Sequence, residues 1–167
     1  MAQAPRKPEE IAVSAALFAE IQQFYGRHMR AMDEGRVADW TDDFTHDAVF
    51  ATNARPEPQR GRSEIAQNAE AAARQLQEKG ILRRHCVTTL ELQQATGLTL
   101  LAKTYALITK TVVGGRSELE FVCTCEDVLV RHEGRWFIRH RQVFRDDLPN
   151  TPAVDRDLHV WDVACRW

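Results

Sequence analysis

Lysine is scarce in this chain. Only Lys7, Lys79, Lys103 and Lys110 carry it, and 22 basic residues face 24 acidic ones for a net charge of −2. The two signs alternate along the sequence without building a basic face, which argues against a nucleic-acid footprint. Long apolar runs are missing as well. Nothing approaches the roughly 18 consecutive apolar residues of a membrane span, and Met1 to Glu10 lacks the apolar core of a signal peptide, so a cytoplasmic protein with no membrane partner is expected. No glycine-rich phosphate loop occurs and no His, Cys and carboxylate cluster has ligand spacing; neither a metal nor an organic cofactor is expected. The cysteines Cys86, Cys123, Cys125 and Cys165 match no familiar metal or redox spacing. Cys123 and Cys125 lie two apart in an apolar run, share one strand face, and read as buried structural thiols. With only Tyr25 and Tyr105 present, any phenol chemistry must use one of those two.

What remains suffices for one domain at 167 residues. Residues 1–10, with Pro5 and Pro8 among charges, read as a loose arm, 11–148 as the domain, and 149–167 as a tail that turns apolar at Val160, Trp161 and Val163. The spacing of Leu17, Ile21, Phe24, Tyr25, His28, Met29 and Met32 predicts an amphipathic helix from Ile11 to Gly35. A short helix over Val37–Phe44 follows, then a turn at Thr45, His46 and Asp47, a short strand over Ala48–Thr52, and a proline-bearing loop to Gln59. A third helix spans about Arg62–Lys79, with Ile65, Ala69, Ala72, Ala73 and Leu76 as its buried stripe. Beyond Gly80 the period changes. Leu82–Gln94, Leu98–Val113, Ser117–Arg131 and Arg135–Arg145 are long β-rich runs separated by Thr96-Gly97, Gly114-Gly115 and Glu133-Gly134 turns, which predicts a four-stranded antiparallel meander. Helices that come first must pack on one face of it, so the class is α+β.

Asp33 is out of place in this scheme. A carboxylate in the last helical turn faces the negative end of the helix dipole at a cost of about 0.3–1 kcal/mol. A solvated residue beside the Glu34-Gly35 turn is the ordinary explanation. The neighbours Met29, Met32 and His28 suggest another, in which Asp33 points into an apolar cleft and there becomes a stronger proton acceptor than it would be in water.

The order of three helices, a strand between the second and third, and a curved meander is that of the nuclear-transport-factor-2-like cone. Within that superfamily the stretch from Met32 to Phe50 resembles the opening of the SnoaL-like branch, Arg60 to Ile65 resembles its entry to the third helix, and Gly134 to Ile138 its last hairpin. The resemblance covers roughly residues 15–148 and implies an α+β cone of three N-terminal helices on a curved, mostly antiparallel sheet. Among its members scytalone dehydratase is the sharpest comparison, with a catalytic Asp ending the first helix and a His opening the strand after the third. Asp33 and His85 match those places. Met32 stands where that enzyme has a tyrosine, and its second histidine has no counterpart between Leu98 and Val113. The resemblance thus implies an Asp–His acid/base pair rather than the whole dehydratase set.

An apolar cone with such a pair suits a cofactor-free cyclase or dehydratase acting on a polyketide-derived or similar small molecule, by aldol-type, oxa-Michael or epoxide-opening ring closure or by loss of water. The rival is a non-catalytic subunit like the β chain of aromatic-ring-hydroxylating dioxygenases, which needs an exposed apolar surface and no cleft. Limonene-epoxide-hydrolase-like water activation is weakened by the lack of a matched Asp–Arg–Asp set. Tyr25, Met29, Trp40, Phe50, Asn53 and Tyr105 are the candidates for the substrate-binding wall, although Trp40 and Phe50 also suit the core and Tyr105 a dimer face. Glu120 and Glu126 are lesser candidates for an inward carboxylate. His28 reads as a satisfied core or rim residue. Because Leu101, Tyr105 and Leu107 would otherwise stand in water, a homodimer formed through the outer sheet face is expected.

Overall fold

A computed structural model describes residues 12–149; the arm at 1–10 and the apolar part of the tail lie outside the described residues. The first helix, α1, runs Ala15–Asp33. Ser14 starts it by accepting the Leu17 amide at 3.1 Å on its side-chain oxygen, an N-cap. Gly35, at φ 74°, ends it. There Arg36 N reaches Ala31 O (2.8 Å) and Gly35 N reaches Met32 O (3.1 Å), the paired bonds of a Schellman turn. Asp33 is therefore the last helical residue. Ile21, Phe24, Tyr25, His28 and Ala31 form the buried face.

Helix α2 covers Val37–Thr41, shorter than expected. Phe44 already opens strand β1, Phe44–Thr52, so His46 lies in a strand and not in a turn. Strand β2 is the pair Gln59–Arg60, and α3 spans Arg62–Glu78. Ile65 and Ala69 are buried in α3, whereas Ala72 is exposed and Leu76 half-buried, so its stripe is narrower than predicted. Strands β3 (Ile81–Thr96), β4 (Thr99–Val112), β5 (Ser117–His132) and β6 (Arg135–Arg145) follow the expected runs closely. Glu133 (φ 49°) and Gly134 (φ 79°) supply the two positive-φ positions of the last tight hairpin.

The sheet differs from a four-stranded meander. Its order is β2-β1-β6-β5-β4-β3, with β1 parallel to β6 and every other pair antiparallel. Between Phe44 and Val49 the β1 register slips against Ile138 and His140, a wide irregularity that leaves His46 and Asp47 exposed. The helices cover one face, where Leu100, Ala102, Leu129 and Ile138 join Ile21, Phe24, Trp40, Phe44 and Ile65 in the core. On the other face Tyr105 is 51% exposed and Leu107 36%, while Leu101 is buried against Val128 and Val130 and does not stand in water as expected.

Candidate active site

Pairing register decides which side chains meet beneath α1. His85 lies opposite Ile108, Val87 opposite Ala106, Thr104 opposite Cys125, and Ala102 opposite Asp127, which in turn faces Arg141. These residues share the inner face because side chains alternate along each strand. All of them but Ala102, which packs in the core, enclose with Tyr25, Met29, Met32, Trp40 and Phe50 a cavity of about 140 Å³. A wider groove of about 630 Å³ between α1 and β3 adjoins it, sharing Tyr25, Met29, His85 and Val87.

Asp33 and His85 stand where cavity and groove meet. His85 Nδ1 lies 2.6 Å from Asp33 Oδ1, and the His85 backbone amide donates to Asp33 Oδ2 at 3.1 Å. The two donors hold both carboxylate oxygens and offset the unfavourable dipole of the α1 C-terminus. Their side chains are 10% and 21% exposed, so the pair is sheltered and still reachable. With Nδ1 committed to Asp33, Nε2 is the nitrogen left to exchange a proton. A base so placed can take a proton alpha to a carbonyl or from a hydroxyl, with Asp33 stabilising the imidazolium, and then return that proton to oxygen or carbon.

A second polar cluster lies deeper. Tyr25 donates its hydroxyl proton to Asp127 Oδ2 at 2.7 Å. Arg141 grips the same carboxylate through Nε (2.9 Å) and Nη2 (2.7 Å), and its Nη1 lies 2.9 Å from His28 Nε2. His28 Nε2 must accept from this guanidinium, so its hydrogen sits on Nδ1 and points to Asp43 Oδ2 at 3.1 Å. Arg27, on the surface, closes the chain on Asp43 Oδ1 at 3.0 Å. Burial is the largest cause that pulls the His28 ring down to about 4, with Arg141 adding to it against the opposing bond to Asp43. His28 is thus the satisfied core histidine expected of it. Burial, then the charge of Asp127, keeps the Tyr25 phenol protonated far above its ordinary range. Burial likewise pushes the cavity thiols up, Cys123 to about 11 and Cys125 to about 12, which suppresses the nucleophilic thiolate.

Four of the six expected wall residues, Tyr25, Met29, Trp40 and Phe50, line the cavity. Two do not. Asn53 is buried elsewhere, its side chain bonded to Arg145 N, Arg145 O and Leu148 O, so it fastens the end of β6. Tyr105 lies opposite Thr88 and Thr124 on the outer face, one residue out of phase with the inward Thr104 and Ala106. Glu126 also points outward, 3.6 Å from Lys103, and Glu120 is bound by Arg83 through bonds of 2.6 and 2.9 Å. Asp127 and Arg141 were missed. The signal for Asp127 was its phase: it continues the series Cys123, Cys125, whose inward face was legible.

A SnoaL-like domain matches residues 14–142. The chain belongs to the SnoaL-like family. Among solved structures it is similar to Aln2 from a Streptomyces species, with 30% identity over 81% of this chain and 94% of that one, at a TM-score of 0.75. A protein from Catenulispora acidiphila, solved in complex with S-DNPA, is 34% identical over 80% of this chain and 96% of that one, at a TM-score of 0.70. The fold alone is shared with an NTF2-like protein of cystatin-like fold from Novosphingobium aromaticivorans (18% identity, 80% of this chain, 91% of that one, TM-score 0.66). The chain therefore has the NTF2-like fold. No curated protein matches it in sequence. Among the described residues no helix is long and apolar enough to cross a membrane, and no group of three or more His, Cys, Asp or Glu is placed to hold a metal ion.

Proposed function

We propose that this protein is a cofactor-free cyclase or dehydratase that acts by general acid–base catalysis on a polyketide-derived or similar carbonyl- and hydroxyl-bearing intermediate. The observation that carries the proposal is the 2.6 Å contact between Asp33 and His85 at the edge of an apolar cavity. A binding-only subunit has no use for a sheltered imidazole whose second nitrogen is left over. His85 Nε2 is the base in this reading. It removes a proton from carbon or from a hydroxyl, the imidazolium is stabilised by Asp33, and the same nitrogen returns the proton, which accounts for syn loss of water or for oxygen addition to an enone without any further reagent. Asp33 sets the tautomer and carries the charge. Each well-placed acid or base contributes about 10²–10⁴-fold.

Because a relative of 34% identity is described with S-DNPA bound, that compound is the first ligand to try. Saturable binding of S-DNPA by calorimetry, weakened by bulky replacement of the cavity residue Val87, supports the reading. Turnover is then sought with β-hydroxy ketones and hydroxy enones of fused-ring aromatics, followed by absorbance as conjugation is made or lost. Absence of both binding and turnover across such a panel sinks it in favour of a non-catalytic subunit.

A further inference from the structure

The cavity presents an acceptor to whatever enters it. Tyr25 commits its only hydroxyl proton to Asp127, and Asp127 is fixed from behind by the two-pronged grip of Arg141. Arg141 itself lines the cavity but is held in place, with three of its five N–H groups committed. Its Nη1 is held by His28, and its guanidinium lies over the Phe44 ring at 5.5 Å. His28 is in turn fixed by Asp43. Four separate segments thus hold the Tyr25 O–H on Asp127, so that Tyr25, which lines the cavity, has only the lone pairs of Oη to offer an entering group. The remaining lining is mostly apolar, with Met29, Trp40, Phe50 and Val143 among it.

We infer that Tyr25 is a specificity-determining acceptor that reads a hydroxyl group on the ring of the substrate that enters the cavity. A carbonyl or ether oxygen set against Tyr25 Oη would meet a lone pair and no proton, and a carboxylate there would lie beside Asp127. Size narrows the class further. A cavity of about 140 Å³ is close to the roughly 150 Å³ that accepts benzene, so a single ring fills it. The rest of a fused-ring substrate then lies toward His85 and along the 630 Å³ groove. The class is a terminally hydroxylated aromatic or alicyclic ring, a phenol or ring alcohol. Protonation of Tyr25 is secured by burial, so the acceptor does not switch role near neutral pH. This inference rests on the cavity being the substrate site, as in the proposed function, and not on which reaction follows.

The test is equilibrium binding without turnover, using three probes of one shape: 2-naphthol, 2-methoxynaphthalene and naphthalene. Desolvation alone would rank naphthalene above the naphthol. An acceptor wall reverses the order, and the wild type is expected to bind 2-naphthol about tenfold or more tighter than both of the others, the scale of one buried hydrogen bond. Tyr25→Phe keeps the ring and removes the oxygen, and is expected to bring the three affinities to within about threefold. The methyl ether binding as tightly as the naphthol overturns the inference, as does a preference unchanged in Tyr25→Phe. Should Tyr25→Phe fold poorly, His85→Ala removes another acceptor that lines the cavity and is expected to keep the naphthol preference; its loss there assigns the preference to His85 and overturns the inference. Hydroxyl preference without turnover of any polyketide mimic would retire the catalytic proposal and leave this one standing. Turnover without hydroxyl preference would do the reverse.

Discussion

Asp33 closes α1 with both of its carboxylate oxygens engaged by one residue of β3: the ring of His85 at 2.6 Å and the backbone amide of His85 at 3.1 Å. The ring bond selects the tautomer, and the amide bond fixes the distance between helix end and strand. Asp33→Asn is expected to keep the amide contact through its carbonyl oxygen. Its NH₂ group would then face Nδ1, forcing the hydrogen onto Nε2 and removing the free base. Turnover should fall about 10²-fold or more with folding intact. His85→Ala should fall as far, and the double variant little further, because the two act as one unit. Single-turnover rates of the three variants, with circular dichroism as the folding control, check this; near-native rates in both single variants would count against the pair.

The outer sheet face leads to an oligomer prediction. Tyr105 and Leu107 are exposed near the middle of β4, a costly arrangement for a face left in water. A second copy of the chain is the expected cover, with two-fold pairing of this face. Light scattering at micromolar concentration should report a dimer, and Tyr105→Glu combined with Leu107→Asp a monomer. A monomeric wild type would refute it.

The elements that were legible in the sequence are those whose signal is local. Periodicity in α1, the positive-φ turns and the long β-rich runs needed no tertiary information, and β6 was bounded correctly at Arg135 and Arg145. β1 was clipped to its second half because the irregular register between Phe44 and Val49 puts two polar residues in the strand, which reads as a turn. Its parallel place beside β6 was invisible because pairing across some ninety residues leaves no local trace. For the site, Asp33 and His85 could be named through resemblance to a family, and their hydrogen bond is a fact of geometry alone. Asp127 and Arg141 carried no motif. They are two charges hidden in strand sequences already rich in Arg, Asp and Glu, and only the register that sets them opposite each other distinguishes them from surface residues.

Asn53 offers a test of a corrected assignment. Its side chain ties the loop after β1 to the end of β6 through bonds to Arg145 and Leu148, at 2.8 to 3.2 Å. Asn53→Ala would leave the Arg145 amide without that acceptor, at a cost of about 1–3 kcal/mol in stability. Ligand affinity per folded molecule is expected to stay within about twofold, since the residue does not line the cavity. Chemical denaturation and a ligand titration on the same preparation separate the two effects. A large loss of affinity with unchanged stability would restore Asn53 to the binding wall.

The buried chain from Tyr25 to Asp43 should leave its mark on the pH dependence of stability. Burial, assisted by Arg141 and opposed by the bond to Asp43, lowers the His28 pKa from 6.5 to about 4. Between those two values the unfolded chain binds a proton on this ring and the folded chain does not. Stability therefore rises with pH through this window; the contribution is fully present above about pH 6.5 and is lost progressively as pH falls toward 4. A shift of this size corresponds to a loss on the order of 3 kcal/mol. Protonation would also place a cation against Arg141 and break the acceptor role of Nε2, loosening the grip on Asp127. His28→Gln supplies an acceptor for Arg141 and a donor for Asp43 without a titrating group. Asp43, Asp127, Arg27 and Arg141, which surround the site, are present in both proteins, so the difference between the two isolates His28. From neutral pH down to about pH 4.5 the unfolding free energy of the wild type should fall more steeply than that of His28→Gln, measured by urea denaturation. Parallel curves would mean that the imidazole is not held neutral by its burial, and with that the fixed acceptor at Nε2 would lose its basis.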